Sequence, residues 1–576
     1  MIKKIIRRDY PEEIAATLGD LHPLLRRIYA ARHVTHINEL ELSLAHLLPY
    51  QSLLGIEAAA HLLAESVIQH QRILIVGDFD ADGATSTALA MRALCSFGAK
   101  QVHYLVPNRF AFGYGLTPEL IAAAKDYMPQ LIITVDNGIA NHAGVDAAKS
   151  QGIRVLITDH HLPAATLPAA DVIVNPNQPG DAFPSKYLAG VGVIFYVMLA
   201  TRRQLANWQW FEKQNIPEAN ISQLLDLVAL GTVADLVPLD RNNRILIDQG
   251  LRRIRAGQCA PAIIALLELS NRDFRQALSA DLGFSVASRL NAAGRLDDMS
   301  LGIECLLCDD AIKVREMART LNKLNIERKS IEKDMEAQAL QILQQIHTRL
   351  NGKLPRGLCL FDESWHQGVI GILASRIKDR YHRPVIVFAP GQQEEIKGSA
   401  RSIAGLHIRD ILALIDTRCS GLILKFGGHA MAAGLSIQRH SFNDFNHVFD
   451  EVMAEQVTEA SLQHVLLSDG ELLAEDFNLE IASLIRQGGP WGQAFPEPLF
   501  DDVFQIIEQR LVGDKHLKLR LAKLNKIFDA IAFFVDINTW PDYSCQSVRA
   551  AYRLDINDYK NQKNVQLLIE HMERVS

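Results

Sequence analysis

The sequence predicts an α/β protein with a parallel-sheet lobe, a second α/β lobe and a C-terminal β-barrel. Three observations carry this. Between Gln71 and Asn175, short apolar β-branched runs alternate with helical stretches, the pattern of parallel strands covered on both faces. A second alternation begins at Leu358. After Leu462 several short stretches alternate strictly between apolar and polar residues, as half-buried strands of a small barrel or sandwich do.

Residues 1–50 carry Leu, Ile and Ala at helical spacing and no chemical cluster, and read as a helical segment. The lobe at 51–300 follows, with strands predicted at RILIV (72–76), VHYLV (102–106), LIITV (131–135), RVLIT (154–158) and DVIVN (171–175). Helices are predicted between them, near 88–97, 118–125 and 142–150. In 301–350, Met317, Leu321, Leu324, Ile331, Met335, Ile342 and Ile346 keep a helical spacing that Arg328 interrupts. This predicts a long, largely charged helix that either connects two lobes or forms one face of an ordinary bundle. The second lobe, 351–460, contains LCLF (358–361), a helix near 369–381, PVIVF (384–388) and the glycine-rich KFGGHAMAAG (425–434). In 461–576, HLKLRLA (516–522) and part of IFDAIAFFVD (527–536) alternate, and NVQLLIE (564–570) completes the predicted barrel or sandwich.

A chain of 576 residues at about 150 per domain has room for several cores. The net charge of −7 excludes a chain that is basic throughout, though not a local basic patch. Seven scattered cysteines form no framework. The lone CxxC at Cys305 and Cys308 reads as packing, and free thiols fit a reducing cytosol. The basic start, MIKKIIRRDYPEE, has no apolar segment behind it. The longest uncharged run, Leu188 to Ala200, is shorter than the ~20 residues a bilayer requires. A cytoplasmic protein with no membrane partner is therefore expected.

Chemistry collects at the strand ends. RILIV leads into Asp78, Asp80 and Asp82; LIITV into Asp136; RVLIT into Asp159, His160 and His161; and Asp235 closes LLDLVALGTVAD. A single Asp at a strand end is commonly a helix cap. In a parallel sheet, however, these ends converge on one rim. So many like charges in a partly desolvated cleft require a cation. Carboxylates with an imidazole suit Mn²⁺ or Mg²⁺ better than zinc. The number of ligands suits two ions about 3.5–4 Å apart, the arrangement for in-line attack on phosphorus.

GDFDADGATS (77–86), VDNG (135–138), TDHH (158–161) and GTVADLVPL (231–239) together resemble the motifs of the DHH phosphoesterase superfamily. RLNAAGR (289–295), WHQGVIGILASRI (365–377), KGSARS (397–402) and KFGGHAMAAG are similar to its bacterial branch of single-strand-specific exonucleases. The likeness runs nearly end to end. It implies a DHH domain, a connecting helix, a DHHA1 domain and an OB fold. It also implies hydrolysis of single-stranded DNA from the 5′ end, releasing mononucleotides, in recombination and repair. The implied ligands are Asp80, Asp82, Asp136, His160 and Asp235, with Asp136 as bridge. Many members carry a histidine four residues before Asp80, where this chain has Val76; Asp78 is the candidate substitute, as ligand or from behind the ligands. His161 is the candidate for phosphate contact or proton transfer, with Asp159 orienting a neighbour.

For the substrate, the likeness and the position beyond VHYLV make Arg109 a candidate for the terminal phosphate, with Ser399 and Arg401 completing the pocket. The backbone at Gly427 and Gly428 and the His429 side chain suit a phosphate cradle. Arg289 and Arg295 are candidates for a DNA channel. Single-stranded DNA is the implied partner, with a single-strand-binding protein and a helicase as further candidates. Two rivals stand beside this: a phosphodiesterase of short oligonucleotides or cyclic dinucleotides, and a non-catalytic DNA-binding scaffold. The β-rich tail argues against the first, and the nearly complete ligand set against the second.

Overall fold

A computed structural model describes residues 3–107, 115–350, 353–513, 515–523, 525–559 and 562–575. The chain divides into two units: residues 42–457, and residues 1–41 together with 458–576.

The larger unit opens on a five-stranded sheet. Its order is Val102–Leu105, Ile73–Val76, Leu131–Val135, Arg154–Thr158, Val172–Val174, and every pair is parallel. The three central strands are buried along nearly their whole length, which is why they read as unbroken apolar runs. After Ile73–Val76 the chain crosses to Val102–Leu105 on one side, then returns to place Leu131–Val135 on the other. That reversal opens a crevice at the carboxyl ends of Ile73–Val76 and Leu131–Val135, where an open α/β sheet binds its ligand. Helices Ala81–Ser96, Gly190–Asn207 and Leu225–Ala234 pack against one another behind it.

The connecting helix is real and long, Ala311–Arg349. Its buried face differs from the predicted stripe: Val314, Ala318, Leu321, Asn325, Arg328, Glu332, Met335, Ala339 and Leu343. Arg328 belongs to the seam rather than breaking it. It is buried because its guanidinium binds Glu332 Oε2 and Asn325 Oδ1, while Arg376 of helix Ile370–Tyr381 binds the other Glu332 oxygen at 2.9 Å. Polarity scales cannot see such internal neutralisation.

The second lobe has a mixed sheet, ordered Lys425–Gly428, Ala432–Gln438, Glu395–Arg401, Val385–Pro390, Leu358–Phe361, with only the last pair parallel. Met335, Ala339 and Leu343 of the connecting helix join its core beside Leu358, Leu360, Trp365, Leu373 and Val385.

The smaller unit holds a closed barrel of Phe500–Val512, His516–Lys523, Lys526–Ala532, Ser547–Tyr559 and Gln562–Arg574. Leu517, Leu519 and Leu521 point inward, and Lys518 and Arg520 lie on the opposite face. Residues 1–41 differ from the all-helical expectation. Lys4–Arg7 is a strand, paired in parallel with Val465–Ser468. Helices Glu12–Thr17 and Pro23–Ala30 follow. Buried Arg32 binds both oxygens of Asp469, at 2.8 and 3.0 Å, tying the first residues to the last part of the chain. A four-residue strand whose partner lies over 400 residues away leaves no periodic trace. Among the described residues no helix is long and apolar enough to cross a membrane.

Candidate active site

The crevice gathers the predicted acids. Ligand-type atoms of Asp78, Asp80 and Asp136 lie within 4.8 Å of one another, as do those of Asp82, His160 and Asp235, and of Asp136, His160 and His161. Asp136 and His160 each belong to two of these groups, so the three are one continuous constellation.

Local folding explains each position. Asp80 caps helix Ala81–Ser96, its Oδ1 accepting the amides of Asp82 and Gly83 at 2.9 and 3.0 Å. Asp82 is buried, and its two oxygens accept the Gly190 and Val191 amides at 2.7 and 3.0 Å, at the start of helix Gly190–Asn207. Asp136 takes a left-handed backbone conformation, φ 63°, which turns the chain sharply at the end of its strand; Asp tolerates this better than most residues. Beside it, Asn137 is fully buried, and its side-chain amide donates to the carbonyls of Val76 and Val135. Asp235 closes helix Leu225–Ala234.

The electrostatics are those of a site built for cations. Burial, then the Asp80 charge, pushes the Asp82 carboxyl up to about 7. Asp136 and Asp235 are also raised well above the carboxylate range, by burial first and the charge of Asp82 second. Burial, reinforced by His161, brings His160 down to about 3, so its imidazole is neutral, the form that ligates a metal. Its Nε2 lies 3.1 Å from Asp136 Oδ1 and 3.4 Å from Asp235 Oδ2, and makes no hydrogen bond to either. A buried imidazole nitrogen set between two acids without such a bond fits a shared cation. The donor set, carboxylates with imidazole, fits Mn²⁺ or Mg²⁺.

His161 and Asp159 form a separate pair. Asp159 Oδ1 is 2.7 Å from His161 Nδ1 and also accepts the amides of His160 and His161, while Oδ2 accepts the Ile139 amide. Burial opposes the charge on both, but their mutual attraction outweighs it: Asp159 stays well below the usual range and His161 rises to about 9. The His161 ring lies 5.1 Å from that of His429, nearly parallel, so the second lobe reaches the edge of the constellation.

The other predicted residues divide. Arg401 Nη1 donates to Ser399 Oγ at 3.0 Å and to the Ala400 carbonyl, and both side chains close on Gly371 in the first turn of helix Ile370–Tyr381. Gly427 and Gly428 end an exposed hairpin strand beside His429. Arg295 donates to the Gly368 carbonyl at 3.1 Å. Arg289 is only 8 % exposed; its guanidinium binds the Ser285 carbonyl and Asn322 Oδ1, an internal tie. Arg109 lies outside the described residues. Sequence reading missed the Gly190 and Val191 amides and Asn137. The only advance signal for the first was the small-residue start of an otherwise bulky apolar helix, LAGVGVIF.

Known proteins share these domains. The N-terminal domain of the DHH family matches residues 72–232, the DHHA1 domain 354–455 and the RecJ OB domain 468–571. Together with the crevice these define a DHH-type phosphoesterase carrying an OB fold. The single-stranded-DNA-specific exonuclease RecJ of Dickeya dadantii is 55% identical over 96% of both chains. That of Escherichia coli is 52% identical over 98% of both. Among solved structures, RecJ of Thermus thermophilus in complex with Mn²⁺ is 27% identical with a TM-score of 0.79, covering 100% of this chain and 79% of that one. The Mg²⁺ complex gives 26% and 0.73, covering 100% and 78%. The chain belongs to the RecJ family of single-stranded-DNA-specific exonucleases.

Proposed function

We propose that this protein hydrolyses single-stranded DNA from its 5′ end, releasing 5′-mononucleotides, with two divalent cations held by Asp78, Asp80, Asp82, Asp136, His160 and Asp235. The observation that carries the reading is the sharing of Asp136 between an all-carboxylate group and an imidazole-containing group. One carboxylate at the junction of two donor sets suits a bridge. Bound cations would polarise the scissile phosphoryl group and lower the pKa of the attacking water. The chain's own part is positioning. Asp80 and Asp82 are fixed by helix N-termini, His160 is kept neutral, and Asp159 holds His161 through Nδ1, so that its Nε2 can contact phosphate or hold a proton for the leaving oxygen. Mn²⁺ is expected to support turnover at least as well as Mg²⁺, and excess EDTA to abolish it; a rate unchanged by EDTA would exclude the metal.

The terminal phosphate is assigned to Arg401, Ser399 and the start of helix Ile370–Tyr381, with Gly427, Gly428 and His429 lining the approach and Arg109 as a further contact. A guanidinium and a helix N-terminus both favour an anion there. Each charge-assisted contact contributes about 1.5–3 kcal/mol, roughly ten- to a hundredfold in affinity. Arg401→Ala therefore lowers kcat/KM strongly on a 5′-phosphorylated strand and little on a 5′-hydroxyl strand. Equal losses on the two would assign Arg401 to an internal phosphate or to the fold. Arg295 is the candidate channel residue, and Arg289 acts through the helix it ties. Action on unpaired strands in recombination and repair implies a cytoplasmic enzyme, with a single-strand-binding protein and a helicase as partner classes.

A further inference from the structure

The helix Ser288–Leu296 carries none of the predicted metal ligands, yet it lies directly on the loop that holds Asp78, Asp80 and Asp82. Two contacts define the approach. Asn291 Oδ1 accepts the Ala81 amide at 2.8 Å. Gly294 faces the Phe79 carbonyl so closely that a β-carbon there would lie 1.9 Å from its oxygen. The same helix reaches the second lobe through Arg295 and the Gly368 carbonyl.

The chemistry of a helix N-terminus gives the first contact its meaning. The opening amides of helix Ala81–Ser96 have no partner within the helix. Asp80 Oδ1 accepts two of them, Asp82 and Gly83. The third, Ala81, lies between two predicted ligands, and Asn291 supplies its acceptor from outside the loop. Without that acceptor the Ala81 amide, buried with its residue, is left unsatisfied beside the carboxylate of its chain neighbour Asp80 and competes for it. An oxygen drawn to an amide is drawn away from a cation.

We infer that Asn291 is a positioning residue for the metal site: by satisfying the Ala81 amide it leaves the Asp80 carboxylate oriented toward a cation. The inference rests on the metal reading above. It assigns to the RLNAAGR segment the upkeep of ligand geometry in addition to any contact with DNA.

The test is Mn²⁺ binding to the full-length protein without DNA, by calorimetry or by the electron paramagnetic resonance of free Mn²⁺. Asn291→Ala, at a half-buried helical position that alanine favours, is expected to weaken binding about tenfold, the loss of one hydrogen bond near charged groups. The KM for a single-stranded oligonucleotide stays within about twofold while kcat falls, because an interaction at the reacting centre is affected and not uniform binding. Asn291→Asp, which keeps an acceptor, retains Mn²⁺ affinity. Should Asn291→Ala fold poorly, the double variant Ala81→Pro, Asn291→Ala decides. Proline suits the first helical position and removes the orphan amide, and Asp80 already has the extended backbone that precedes proline, φ −116° and ψ −175°. The double variant is expected to recover Mn²⁺ affinity. Wild-type Mn²⁺ affinity in a folded Asn291→Ala protein, or equal weakening in Asn291→Ala and Asn291→Asp, overturns the role. Absence of Mn²⁺ binding in the wild type would instead overturn the metal reading itself.

Discussion

Asp136→Asn is expected to abolish hydrolysis while making the metal-free protein more stable. The substitution keeps shape and removes one charge from the residue common to two donor groups. Loss of the proposed bridging carboxylate is expected to remove several kcal/mol of transition-state stabilisation, on the order of a thousandfold or more in rate. The sign of the stability change is opposite. Asp136 is buried, and its ionised form is opposed first by burial and then by the charges of Asp82, Asp80 and Asp235. An amide has no such penalty, so Tm measured in EDTA rises, the usual conflict between a charged site and stability. A variant with near-normal rate would contradict the bridging role. A variant that is inactive because it is unfolded would contradict the stability argument.

The second large effect is expected at a residue that carries no chemistry. Gly190 begins the helix whose amides hold Asp82, and it lies against Asp136 on its other side. A β-carbon there would stand 2.6 Å from Asp136 Cβ and 2.7 Å from its Oδ1. Either Asp136 moves or the start of helix Gly190–Asn207 does, and with it the amides on Asp82 at 2.7 and 3.0 Å. Gly190→Ala therefore displaces one of two predicted ligands whichever way the strain relaxes. Overpacking of this kind costs about 1–3 kcal/mol in stability. Misplacement of reacting groups by about 1 Å costs on the order of a hundredfold in rate. Kinetics with a parallel thermal melt check both. Wild-type kcat in Gly190→Ala would show that neither carboxylate needs its present position.

What could be read from the sequence follows from what the physics makes local. The parallel sheet was legible because buried strands must be apolar throughout. The cluster was legible because a doubly wound sheet brings its strand ends together, so Asp78, Asp80, Asp82, Asp136, His160 and Asp235 could be grouped with no knowledge of distances. Partners supplied from far along the chain were not legible. The Ala81 amide finds Asn291 more than 200 residues away, and Asp82 finds Gly190 and Val191 more than 100 away. The Lys4–Arg7 strand pairs with Val465–Ser468 in the same way. Arg328 misled for a related reason: a buried charge paired on its own helix cannot be told from an exposed one by periodicity. Arg289 was legible as a basic residue in a functional segment, but its internal partners were not.

Digestion of one oligonucleotide labelled at either terminus distinguishes metal-dependent cleavage of single strands from the 5′ end from every other polarity. With Mn²⁺ present, the 5′ label is predicted to appear at once as a mononucleotide, while the 3′-labelled strand shortens progressively; the same sequence in a blunt duplex persists. Release of the 3′ label first, equal loss of duplex and single strand, or digestion that continues in excess EDTA would rule out a metal-dependent 5′-to-3′ single-strand exonuclease.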